Sequence, residues 1–221
     1  MKRFFKKVLA RLFNAEIRRG LTIPIDVRQV RNIRYLSRLY SLTKNVPGTV
    51  VECGIGKGRT FLELVAISLI EKDGRTFWGF DSFGGFPEPH EEDRGIRNPK
   101  KGELNEITRE MLNSMLIRAG ATSLWIEEKS KIIEGFFSDS LKRYDGKPIA
   151  FLHIDADLYE SYRDVLRALF PFVSKGGVVL FDEYGEKQWP GATKAVDEFL
   201  SANHQNLLLD AESGKRFLIV K

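Results

Sequence analysis

Two short stretches carry residue types that can do chemistry together. The first, VVECGIGKGRT at residues 50–60, takes an apolar run into Glu52, then alternates Gly54, Gly56 and Gly58 before a helical pattern begins. Glycines at such a turn let backbone approach a ligand closely. In the second, GFDSF at residues 79–83, another apolar run ends in Asp81. An acid at the tip of the next strand can accept hydrogen bonds from ribose hydroxyls, so the pair points to a nucleoside-bearing cofactor. Cys53, the chain's one cysteine, sits inside the glycine turn, where a small residue is needed.

A second constellation is built from carboxylates. IAFLHIDADLYES at 149–161 runs into Asp155, and GGVVLFDEY at 176–184 runs into Asp182 and Glu183. Carboxylates converging at one sheet edge are costly at neutral pH unless a positive charge sits among them. A hard divalent cation such as Mg²⁺ takes oxygen ligands of this kind and leaves room for substrate hydroxyls. The competing reading makes Asp157 and Glu183 ordinary acids at helix starts. Asp155-Ala156-Asp157 is also a D-x-D, the pattern of metal-dependent sugar-nucleotide glycosyltransferases. Two histidines are candidate bases: His153, which strand alternation places on the same face as Asp155, and His90, in the chain's least regular segment.

These residues need a scaffold that brings several strand ends to one edge. Short apolar runs at 49–54, 76–82, 131–135, 149–155 and 177–182 alternate with helical patterns at 58–71, 104–119, 138–144 and 159–173. That rhythm predicts an α/β protein with a doubly wound, mostly parallel sheet covered by helices on both faces. Right-handed crossovers then set every strand's carboxyl end on one edge. Beyond a helix at 191–202, runs at 206–210 and 216–221 flank a turn and predict a closing antiparallel hairpin. Residues 84–102, rich in Gly, Pro and charge, leave the sheet just after Asp81 and read as a substrate lid.

At 221 residues, with 43% hydrophobic and 29% charged residues, the chain is an ordinary globular domain able to bury a core. A single cysteine excludes an internal disulfide and favours a reducing, cytoplasmic setting. The net charge of +5 is uneven: residues 1–44 hold twelve Lys or Arg against Glu16 and Asp26. We therefore read 1–45 as a basic helical extension and 46–221 as the catalytic domain. A basic extension on a slightly acidic body suits phosphate-rich partners and argues against a nucleic-acid-binding fold. Within it, Val30, Ile33, Leu36, Leu39 and Tyr40 predict the apolar side of a helix over 27–44. MKRFFKKVLARLF at the start fits a basic amphipathic helix, expected to pack on the body or a second subunit, or to make peripheral contact with an anionic inner membrane face through residues 1–20. It is too short and too charged to span a bilayer.

Taken in order and spacing, ECGIGKGRT, FDSFGGFPEP, EGFFSDSL, HIDADLYES, GGVVLFDEY and GATKAVDEF resemble the macrocin O-methyltransferase family, sugar O-methyltransferases of macrolide and aminocoumarin biosynthesis. The resemblance covers about residues 28–205. It implies a class I S-adenosylmethionine (SAM)-dependent methyltransferase fold, Rossmann-like with a seven-stranded sheet, and Mg²⁺ or another divalent cation. It further implies methyl transfer to a sugar hydroxyl and makes a homo-oligomer plausible. By motif, Glu52, Gly54 and Thr60 would line the methionine side of the cofactor, with Cys53 and Gly56 in the same turn. Asp81 would hold the ribose with Ser82 close by, and Phe137, Ser138 and Asp139 would approach the adenine. Asp155, Asp182 and Glu183 match the metal positions, Glu183 standing where the family usually has Asp, and Asp155 would also take the proton. The alternatives are a catechol-like acceptor on the same fold, a sugar-nucleotide glycosyltransferase using Asp155 and Asp157, and, last, a nicotinamide oxidoreductase.

Overall fold

The computed structural model describes residues 27–220. The amphipathic pattern at the start of the chain, with its expected membrane or subunit contact, lies outside the described residues, as does Lys221.

Helix α1 (Val27–Ser41) precedes an alternating series: β1 (Thr49–Cys53), α2 (Arg59–Glu71), β2 (Phe77–Asp81), α3 (Arg109–Arg118), α4 (Ser123–Lys129), β3 (Ser130–Glu134), the short α5 (Phe137–Ser140), β4 (Ile149–Ile154), α6 (Tyr159–Leu169), β5 (Val173–Phe181) and α7 (Pro190–Asn203). A hairpin, β6 (Leu208–Leu209) and β7 (Arg216–Ile219), closes the sheet. The seven strands run in the order β3-β2-β1-β4-β5-β7-β6. The first five are mutually parallel and β7 is antiparallel to both neighbours. Every residue of β1 and β4 is buried, which is why their sequences are nearly continuous in apolar residues.

Strand alternation sorts side chains into two cores. Val51, Cys53, Phe80, Leu152, Ile154 and Phe181 face Tyr162, Val165 and Leu169 of α6 and Ala192 and Val196 of α7. Val50, Phe77, Phe151 and Leu180 face Leu36, Leu39 and Tyr40 of α1, Phe61 and Leu64 of α2 and Leu112 of α3. The described part of the N-terminal extension is thus built into one layer of the core. Its buried stripe is Tyr35, Leu36, Leu39 and Tyr40, whereas Val30 and Ile33, expected on that side, are exposed.

Several boundaries differ from the sequence expectations for local reasons. The helix expected from 104 starts at Arg109, where the Thr108 side chain accepts a hydrogen bond from the Met111 amide. Thr122 caps α4 in the same way, a short helix whose apolar spacing was too brief to stand out. Helix α6 stops at Leu169 because Pro171 follows, and β5 begins at Val173, four residues ahead of its expected start. Segment 84–102 is irregular apart from a 3₁₀ turn at Glu91–Asp93, yet it is pinned down. Asp93 is buried and accepts from the Tyr159 and His90 amides, while Phe86 packs edge-on against Trp189.

At the carboxyl ends of β1 and β4 the backbones nearly touch. The Asp155 amide donates to the Cys53 carbonyl at 2.9 Å, and a Cβ on Gly54 would lie 1.7 Å from the Asp155 carbonyl oxygen. Gly54 also has φ +88°, a conformation that side chains disfavour. Gly54→Ala is therefore expected to lower the unfolding free energy by about 3 kcal/mol or more, read from urea denaturation followed by circular dichroism.

Candidate active site

A cavity of about 710 Å³ opens at the carboxyl edge of the sheet. Strand register puts its parts side by side. The Gly54 amide donates to the Phe80 carbonyl, the Gly135 amide to the Asp81 carbonyl and the Asp182 amide to the Ile154 carbonyl. Residues that follow β1, β2, β3, β4 and β5 consequently share one wall.

On one side lies the glycine turn. Gly54, Ile55, Gly56 and Thr60 line the cavity with Asp81, Ser82, Gly135, Phe136 and Phe137. The Asp81 carboxylate braces the turn: one oxygen accepts from the Ile55 amide (2.7 Å) and the Gly56 amide (3.0 Å), the other from the Phe83 amide (2.7 Å). A carboxylate has about four acceptor positions, so Asp81 keeps capacity for one more donor. The Ser82 hydroxyl donates to the Gly85 carbonyl and accepts from the Gly84 amide, which starts segment 84–102 on its course.

On the other side lie acids. Asp155, Asp157 and Glu183 each offer a carboxylate oxygen, all within 4.8 Å of one another. Asp157 has φ +58°, and its amide approaches Glu183 Oε2 at 3.4 Å. The Tyr162 hydroxyl lies 2.5 Å from the same oxygen and 2.9 Å from the Ile154 carbonyl. Burial and mutual repulsion push all three carboxyls up: Asp155 through burial and the Asp182 charge, Asp157 and Glu183 through burial and the Asp155 charge. The donor set, all hard oxygen, fits a divalent cation such as Mg²⁺.

A second group sets acids beside bases: Glu52 and His153 are buried below the cavity, while Asp182 and Lys215 line it. His153, fully buried, has Nδ1 3.5 Å from Glu52 Oε1 and Nε2 3.9 Å from Asp182 Oδ1. Burial alone would lower the His153 pKa, but the two carboxylates outweigh it and raise it to about 10. Burial raises Glu52 to about 7, less than it would be without His153. Lys215, reaching in from the turn before β7, holds Asp182 Oδ2 at 3.0 Å and the Asp182 carbonyl at 2.6 Å. Burial disfavours charge on Asp182, yet His153 and Lys215 keep it ionised.

Set against the sequence expectations, Gly54, Gly56, Thr60, Asp81, Ser82, Phe137, Asp155 and Asp182 all line the cavity. Others sit elsewhere. The Cys53 side chain points into the core, and Glu52 is turned toward His153 below the floor. Asp139 is exposed, bonded to Ser138 and Lys142 beside the cavity rather than within it, and Phe136 joins Phe137 on the lining instead. His153 is buried between two acids and does not line the cavity. His90 caps the 3₁₀ turn, its Nδ1 accepting from the Glu92 amide while its ring lies against Tyr159. The carboxylates that come within 4.8 Å of one another are Asp155, Asp157 and Glu183, while Asp182 lines the cavity engaged by Lys215 and His153. Lining residues that the sequence reading did not single out include Arg28, Asn32 and Tyr35 of α1 and Lys215. The first three recur at i, i+4 and i+7, a polar stripe beside the apolar one that the sequence did display.

A family profile described as Macrocin-O-methyltransferase (TylF) matches residues 26–210. The chain belongs to the macrocin O-methyltransferase family. Among its relatives, the demethyldecarbamoylnovobiocin O-methyltransferase of Streptomyces niveus is 31% identical over 180 residues, covering 79% of this chain and 66% of that protein. The 8-demethyl-8-(2,3-dimethoxy-alpha-L-rhamnosyl)-tetracenomycin-C 4'-O-methyltransferase of Streptomyces olivaceus is 29% identical over 165 residues, covering 72% of this chain and 61% of that protein. The chain thus spans just under two thirds of the length of these two relatives. The crystal structure of CalS11, a calicheamicin methyltransferase, superposes with a TM-score of 0.81 at 26% identity, covering 93% of this chain and 85% of that one. The macrocin O-methyltransferase fold, a class I methyltransferase sheet with helices on both faces, is what the strand order shows.

Removing the buried His153 imidazole would take away the one basic group that both Glu52 and Asp182 approach. His153→Ala is expected to destabilise the protein by about 3 kcal/mol or more at pH 7.5, as for other broken buried ion pairs. Urea denaturation measures this, and adding Glu52→Gln should recover part of the loss.

Proposed function

We propose that the chain is a SAM-dependent O-methyltransferase acting on a hydroxyl of a sugar or glycoconjugate. One observation carries the reading: the braced glycine turn and the acid cluster open into one cavity, so a bound methyl donor and an acceptor oxygen meet at the strand ends. The named activities of the tetracenomycin and novobiocin relatives support O-methylation of antibiotic intermediates, and the tetracenomycin one names a rhamnosyl group.

SAM, bound against the glycine turn, supplies an electrophilic methyl group. The turn amides are fixed by Asp81, which lines the cavity with an acceptor position to spare for a ribose hydroxyl, while Phe136 and Phe137 provide ring surface for a purine. Asp155 is the proposed base. It lines the cavity, and burial with the neighbouring Asp182 charge raises its pKa to about 6, nearer that of a working base than an ordinary aspartate. The donors for a divalent cation are drawn from Asp155, Asp157, Asp182 and Glu183; when bound, such a cation would favour the ionised form of an acceptor hydroxyl. Alignment of the acceptor oxygen with the methyl group is the remaining contribution, and the rigid strand ends provide it.

Among the described residues no helix is long and apolar enough to cross a membrane. Peripheral contact of residues 1–20 with an anionic membrane stays part of the proposal on sequence grounds. A glycosyltransferase use of Asp155 and Asp157 has no support from the family.

Calorimetric titration with S-adenosylhomocysteine tests the cofactor reading, and micromolar binding is expected. Asp155→Asn should retain that affinity within about threefold while turnover of a rhamnosyl acceptor falls by about 10²-fold or more, the usual scale for losing a positioned base. A chelator should reduce turnover if the cation is used. Mn²⁺ titration of Asp157→Asn and Asp182→Asn then separates donor from bystander, since only the donor's replacement weakens the metal.

A further inference from the structure

Helix α1 supplies a wall of the cavity that neither the glycine turn nor the acids account for. Arg28, Asn32 and Tyr35 lie on one face of the helix and line the cavity together. Tyr35 is only 3% exposed, and its phenol lies close enough to Asp182, Asp155, Glu63 and Glu52 to feel each charge. The ring thus shares the cavity with Asp155 and Asp182. Burial and those acids hold the phenol in its neutral, O–H form. Neither the Tyr35 hydroxyl nor the Asn32 amide makes a hydrogen bond to another described side chain or backbone group. Ser161 at the start of α6, 6% exposed, adds a third hydroxyl or amide to the lining without a bond of its own.

Three neutral hydrogen-bonding groups with unfilled capacity line the cavity beside its carboxylates, where a ligand can complete them. An aromatic diol would leave them empty, whereas a ring carrying several hydroxyls matches donor and acceptor at each. We propose that Asn32 and Tyr35 are specificity-determining residues, reading the hydroxyls of a non-aromatic, polyhydroxylated acceptor that flank the one presented to Asp155. This rests on the methyltransferase reading of the cavity and deepens it. The Tyr35 O–H donates to an acceptor oxygen nearest the acids. The Asn32 amide, about one turn toward the helix start, takes the next oxygen along the ring with either its N–H or its C=O.

The experiment uses the full chain and three acceptor probes: methyl α-L-rhamnoside, dTDP-L-rhamnose and catechol. Release of S-adenosylhomocysteine is followed, and binding of that product is titrated separately. The expected result is methylation of a rhamnosyl probe in preference to catechol. Tyr35→Phe and Asn32→Ala should each raise the acceptor KM by about tenfold, the scale of one lost hydrogen bond, with the SAM KM and product affinity within about twofold of wild type. A merely structural role would move both substrates' constants together. Unchanged acceptor KM in both variants overturns the inference, as does preference for catechol. Tight product binding with methylation of none of the three probes also overturns it while leaving the cofactor reading standing. No product binding by the wild type sinks the methyltransferase reading itself.

Discussion

The contact between the carboxyl ends of β1 and β4 is the constraint on which the site depends. A parallel pair can bring its ends together only if the residue that turns away has no Cβ, and Gly54 meets that condition against the Asp155 carbonyl. Once the Asp155 amide has bonded to the Cys53 carbonyl, the path of the chain after β4 is fixed beside the glycine turn. The Asp182 amide repeats the arrangement on the next strand by bonding to the Ile154 carbonyl. Cofactor wall and acid wall are therefore held by backbone, the least adjustable part of the molecule, and alignment of two reacting groups comes from sheet geometry rather than from loops.

Charge is arranged in two groups around that contact. In one, acids and bases alternate: Glu52, His153, Asp182, Lys215. Each carboxylate there has a basic side chain at ion-pair distance, which is what makes burial tolerable. In the other, Asp155, Asp157 and Glu183 stand together with one phenol, Tyr162, among them. Tyr162 has a single proton to give, and both the Ile154 carbonyl and Glu183 are in reach of it. Three carboxyls held this close with so little compensation favour taking up protons or a cation, which the first group does not need.

Much of this was legible in the sequence because parallel strands leave a strong trace. Continuous apolar runs ending in Glu52, Asp81, Asp155 and Asp182 named both the strands and their carboxyl edge. The glycine turn declared itself by residue type. What stayed hidden depends on distance in the chain. Nothing near Lys215 says that it will cross to Asp182, thirty-three residues away, and nothing near His90 says that its ring nitrogen will cap a 3₁₀ turn. His153 shared a face with Asp155, as strand alternation requires, yet burial between two acids made it a buried counter-ion; periodicity predicts direction but not what waits there. In α1 the arginines and the apolar residues overlapped enough to rotate the buried stripe away from Val30 and Ile33.

That rotation has a structural consequence. With Tyr35, Leu36, Leu39 and Tyr40 inward, Arg34 and Arg38 emerge beside the C-terminal hairpin. Arg38 pairs with the largely buried Asp210 and with Glu212 at 2.8 Å, and Arg34 reaches Glu212 at 3.1 Å. The exposed pairs contribute little alone, but Asp210 is also held by the Ser213 amide and hydroxyl, so Arg38 meets a fixed partner. The same hairpin turn carries Lys215, which fixes Asp182. One short hairpin therefore anchors the helix that lines one side of the cavity and the strand end that carries an acid. The Tyr35 wall and the carboxylates of the cavity are thus tied to one and the same hairpin.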